Sequence, residues 1–217
     1  MSTGTQLPTL PLAATNSPPD RALLSRAQAL TYLALGWHVV EAAVAIGAGV
    51  IAGSIALIGF GADSVIEASA GLVVLWLITG VRVSSSQSER RAQLLIAASF
   101  VLLAAYVAAE SAHDLVGGHH PATSWVGVGL AAITLVVMPP LAAAKRRVAT
   151  TLGSPAAASE SRQTILCAYL SGAVLIGLLA NAIVGWWWAD PTVALLIGVV
   201  ALREARDASR GDSCSCC

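Results

Sequence analysis

The chain has 217 residues, 56% of them hydrophobic and only 11% charged, with twelve Lys and Arg against twelve Asp and Glu. A soluble domain carries charge on about a quarter of its residues, so this composition argues against one, and a net charge of zero gives nucleic acid no electrostatic foothold. A mean hydropathy of +0.75 and an abundance of Ala, Gly, Val and Leu instead fit a bundle of membrane helices.

In chain order, residues 1–26 hold Pro8, Pro11, Pro18 and Pro19 ahead of any apolar run and are predicted to be a disordered tail. The first apolar segment starts too far in, and runs too long, for a cleaved signal peptide. A bilayer core takes about 20 apolar residues per helix. Six segments approach or exceed that length, at 28–49, 55–80, 92–112, 123–144, 157–185 and 190–204. The expected fold is therefore all-α, a six-transmembrane-helix bundle over residues 27–207, followed by a Cys-rich tail at 208–217. Charge placement sets its orientation. Arg21 and Arg26, then Arg82, Arg90 and Arg91, then Lys145 to Arg147 with Arg162, and finally Arg203, Arg206 and Arg210 all fall on one side of six spans. The positive-inside rule makes that side cytoplasmic, with both termini inside. One span more or fewer would split the charges between the two sides.

An ionisable group at bilayer depth costs several kcal/mol and usually lines a pathway or meets a partner. Asp63 and Glu67 stand midway down the second span, spaced i, i+4 and so one turn apart on one side of the helix. Two carboxylates that close repel unless a cation or proton lies between them. They read as an oxygen-lined cation site with coupled proton uptake, or as a hydrogen-bonded pair between helices. His38 and Glu41 share a face of the first span and read as further metal ligands, a proton relay or a mutually neutralising pair. Gln163 and Cys167 share a face of the fifth span, where a lone cysteine is either a packing residue or a metal ligand. At the outer end of the third span, Glu110, His113, Asp114, His119 and His120 form either a solvated loop or an exit-side landing patch for metal. Cys214, Cys216 and Cys217 in the terminal "GDSCSCC" suit metal capture by thiolates or palmitoylation. Gly49, Gly53, Gly59 and Gly61 are expected to let helices approach closely. Pro139 and Pro140 predict a kink, hinge or end in the fourth helix.

These residues carry a resemblance. "GSIALIGFGADSVIE" resembles the second-helix signature of the cation diffusion facilitator family, where a Ser-x-x-Leu stretch runs into Asp-x-x-x-Asp. "KRRVATTLGSPAAASESRQTILCAYLSGAVLIG" is similar to that family's region between helices four and five, and "GWWWADPTVALLIGVVALREA" to the opening of its last span. The likeness covers roughly residues 28–207. It implies a six-helix transporter that moves divalent metal, usually zinc, out of the cytosol in exchange for protons. The implied site is two acids on helix two and a His-x-x-x-Asp pair on helix five. Asp63 matches the first acid and Glu67 replaces the second. Gln163 and Cys167 stand at the helix-five positions, where glutamine is a poor zinc ligand and a deprotonated cysteine a good one. The expected site is then Asp63, Glu67 and Cys167, with His38, Glu41 or water as the fourth ligand.

Further expectations follow from the same reading. No tightly bound cofactor is expected, only the transported divalent metal. The partners are the lipid bilayer, metal ions and protons, in the cell membrane. A homodimer would have to form through the membrane helices, because the family's cytosolic domain has no counterpart in the residues after the sixth span. Two other readings remain open: transport of a soft ion such as Cu(I), and a non-transporting metal-sensing subunit that works through its terminal thiols. An enzyme is not expected, since the chain has no HExxH, no GxSxG and no phosphate-cradling Gly-rich loop.

Overall fold

The computed structural model describes residues 21–79, 86–152 and 155–210. They form six helices: α1 (Arg21–Ala52), α2 (Ile55–Thr79), α3 (Ser86–Gly117), α4 (Trp125–Leu152), α5 (Pro155–Leu179) and α6 (Ala189–Arg210), with a π turn at Ala180–Val184 closing α5. Each expected span corresponds to one helix. Five are long and apolar enough on their own to cross a membrane. The sixth, α6, carries Arg203, Glu204, Arg206 and Asp207 in its last turns, which lowers its hydropathy.

Two boundaries differ from the sequence expectation. Residues 21–26, assigned to the tail, belong to α1, because "RALLSR" is built of good helix formers and continues the helix into water. α6 likewise runs on to Arg210 rather than ending near 207. Residues 1–20 and 211–217, the latter with Cys214, Cys216 and Cys217, lie outside the described residues. Pro139 and Pro140 fall inside α4, which continues past both, so they do not mark its end.

The three connections without Lys or Arg meet at one end of the bundle, as the six-span topology requires. The Ala122 N–H donates to Ala52 O at 2.8 Å, and Asn181 Nδ2 donates to Pro121 O at 2.9 Å. At the same end Gly53, with φ of 66°, makes the left-handed turn from α1 into α2. Ser54 then caps α2 by accepting from the Leu57 N–H at 3.2 Å. The fully buried Asp190, at the start of α6, accepts from Ser54 Oγ and from the Ile55 and Ala56 N–H groups at 2.9 and 3.3 Å. A carboxylate there also meets the positive end of the α2 dipole. Trp186 and Trp188 stack at 5.2 Å in the α5–α6 connection, where aromatic rings suit a membrane interface.

Two apolar cores share α2. Leu57 and Phe60 join one with residues of α1, α4 and α5. Ala56 and Ile66 join the other with residues of α3 and α6. Close approach explains three of the four glycines. A Cβ on Gly61 would stand 2.7 Å from Ile46 Cγ1, one on Gly49 2.8 Å from Ile58 Cγ1, and one on Gly59 3.0 Å from Val107 Cγ1. Gly53 is the exception: nothing lies within 4 Å of its Cβ position, and it serves the turn rather than packing.

Candidate metal site

α2 brings Glu67 beside His38 of α1 and Cys167 of α5. Glu67 follows Phe60 and Ser64 along the α2 face turned to α1, and its Oε2 lies 3.4 Å from His38 Nδ1. Cys167 of α5 is fully buried. One donor atom from each of His38, Glu67 and Cys167 lies within 4.8 Å of the other two. Tetrahedral bonds of about 2.0–2.3 Å separate ligand atoms by about 3.3–3.8 Å. The His38–Glu67 distance already falls in that range, and the sulfur lies within 4.8 Å of both. Glu67 Oε2 is buried with no hydrogen-bond partner among the described residues. A buried carboxylate oxygen in that state is unusual and suits a cation.

Glu41 stands beside this group but is already engaged. Its Oε1 accepts a short hydrogen bond from Thr134 Oγ1 of α4. Its Oε2 accepts from Ser64 Oγ at 2.9 Å and lies 3.3 Å from His38 Nδ1 and 3.8 Å from Cys167 Sγ. Glu41 therefore lies against the imidazole and the thiol through one carboxylate that α2 and α4 hold in place.

Asp63 does not join the three donors. It is buried, but residues four apart on a helix differ in direction by about 40°, and its carboxylate is not among the three converging donors. Glu204 of α6, Glu41 and Glu67 are the acidic groups that act on it. Gln163 is also outside the group: it lines a cleft with His38 and Glu67 but offers none of the three converging donors. Of the residues expected from sequence, His38, Glu67 and Cys167 come together, Glu41 lies against His38 and Cys167, and Asp63 and Gln163 are not among the three converging donors.

The cleft continues to a buried ion pair that sequence reasoning missed. Lys145 Nζ lies 2.8 Å from Glu160 Oε1 and donates to Thr164 Oγ1 at 3.2 Å. Thr31 Oγ1 donates to Glu160 Oε2 at 3.4 Å. Lys145 reads in sequence as one of three basic residues at a helix end. The available signal was on α5, where Glu160, Gln163, Thr164 and Cys167 recur at helical spacing and make one polar stripe.

At the outer end of α3, His113, Asp114 and His119 come together. His120 leaves this group and packs its ring 5.0 Å from that of Trp187, and exposed Glu110 stands one turn back along α3.

No curated protein matches the chain. A family described as the cation efflux transmembrane domain matches residues 31–211. That match takes in all six helices and every donor of the central cluster, and so the chain belongs to the cation efflux family of membrane cation transporters.

Proposed function

We propose that this transporter carries zinc, or a comparable borderline divalent ion, from the cytosol across the cell membrane in exchange for protons, and that His38, Glu67 and Cys167 hold the ion in transit. The observation that carries this reading is the convergence of a buried imidazole nitrogen, carboxylate oxygen and thiol sulfur from three helices within 4.8 Å. Nitrogen and sulfur donors favour zinc over magnesium, calcium and manganese, which prefer all-oxygen sites. Three protein ligands leave one position for water, and a site that turns over must release what it binds.

The same chemistry supports proton exchange. A thiol binds metal as thiolate and an imidazole binds it unprotonated, so loading the site expels protons and protonation helps to empty it. Asp63 lies one turn nearer the outer end of α2 and is the next carboxylate on the route out.

Metal flux into proteoliposomes under an imposed pH gradient tests the reading, with zinc, cobalt, manganese and Cu(I) compared. Zinc flux is expected to follow the proton gradient and to be lost in Glu67→Gln. Undiminished zinc flux in a folded Glu67→Gln protein would remove the site assignment. Flux indifferent to the gradient would remove the exchange, and a preference for Cu(I) would favour a soft-ion transporter.

A further inference from the structure

We propose that His113, Asp114 and His119 form a second divalent transition-metal site, facing water at the outer end of α3. Its recognition chemistry, two imidazoles and one carboxylate, suits zinc and its neighbours cobalt, nickel and copper(II). This site is independent of the central cluster, and its binding of metal does not rest on the transport mechanism.

The backbone builds it. α3 ends at Gly117, and Gly118 takes a φ of 64°. The His119 N–H then donates back to Asp114 O at 3.2 Å, the long bond of a Schellman helix end. That reversal folds the His119 ring over the last turn. The missing Cβ of Gly117 leaves it room, since a Cβ there would stand 3.3 Å from His119 Nδ1. The ring stacks on His113 at 5.1 Å with 24° between planes. Both imidazoles turn Nδ1 to the same carboxylate oxygen. Asp114 Oδ1 lies 3.6 Å from His113 Nδ1 and 3.2 Å from His119 Nδ1. These distances bracket the ligand separation of about 3.3 Å expected for tetrahedral bonds of about 2.0 Å, so an ion fits with small movements. Asp114 is buried to 8% residual exposure and anchored in the helix, whereas the histidine side chains are 68% and 62% exposed. One fixed ligand and two accessible ones make a site that exchanges its ion with the outer solution. It stands at the end of the bundle where an exported ion emerges, and where an external one would first be met.

The test is site-resolved modification of the full-length protein in lipid nanodiscs. Diethylpyrocarbonate labels accessible imidazoles, and mass spectrometry reads His113 and His119 separately with and without zinc. Zinc is expected to protect both rings over one shared concentration range. The exposed substitution His113→Gln should remove protection at His119, and Asp114→Asn should remove it at both. Cys167→Ser should leave it unchanged. Equal labelling with and without zinc would overturn the proposal. So would protection of His119 that survives His113→Gln, which would mean that each ring meets zinc alone.

Discussion

Replacing Cys167 by serine tests the central site at the atom that most distinguishes it from an oxygen-lined one. The residue is fully buried, and serine nearly matches its volume, so packing is kept while the sulfur is lost. Structural zinc sites in peptides bind with about 10–16 kcal/mol over four ligands, or roughly 3 kcal/mol for each. Some of that returns through water or the new hydroxyl. A net loss of about 2.7 kcal/mol corresponds to a zinc affinity about a hundredfold weaker. Competition against a chromophoric chelator in detergent measures it. The pH dependence supplies a second reading with a definite sign. Affinity rises with pH because binding expels protons, and the slope of log affinity against pH counts them. A serine hydroxyl does not ionise in this range, so the slope should fall by about one proton relative to the parent. An affinity within about threefold of the parent, with an unchanged slope, would show that Cys167 is a packing residue.

Further perturbations probe the frame around the site. Lys145→Ala leaves Glu160 as an unpaired buried charge and should cost about 3–5 kcal/mol, while the double change to Met at 145 and 160 should recover most of it; thermal unfolding in detergent reads both. Asp190→Ala removes three accepted hydrogen bonds at the start of α2 and should cost about 2–4 kcal/mol, with faster exchange of the Ile55 and Ala56 amides. Gly61→Ala forces a Cβ to within 2.7 Å of Ile46 and should destabilise the α1–α2 contact by about 1–3 kcal/mol. Gly47→Ala, which meets nothing within 4 Å, should stay within about 0.5 kcal/mol of the parent.

Much of the fold is legible in the sequence because a bilayer tolerates few solutions. Backbone groups must be satisfied within each span, so apolar length gives the helices and the placement of basic residues gives their orientation. The site was legible only in its parts. His38, Glu67 and Cys167 are conspicuous as polar groups in apolar runs, but sequence spacing relates only residues on one helix. It paired Asp63 with Glu67 because they are a turn apart. On the proposed reading the choice between them is made by which neighbours each meets, His38 of α1 and Cys167 of α5 for Glu67, and that is a property of packing. Thr134 and Ser64 were missed for a related reason. A hydroxyl in a membrane helix commonly bonds its own backbone, so nothing local announces that these two hold the oxygens of Glu41.

On the proposed reading, the charge inventory is the reason such a site would couple a cation to protons. Glu41, Glu67 and Cys167 meet around His38, with Asp63 a turn away, and among the described residues the buried lysine, Lys145, is already paired with Glu160. Several acidic groups in a low-dielectric interior cannot all carry charge together without a compensating cation. An entering divalent ion supplies the compensation and displaces protons; when it leaves, protons must replace it. On the proposed reading, exchange therefore needs no separate proton channel beside the metal route, because the same buried donors are charge-balanced by one occupant or the other. The Lys145–Glu160 pair fits this scheme by being neutral overall. It lines the same cleft as His38 and Glu67 without adding net positive charge that would repel an approaching cation.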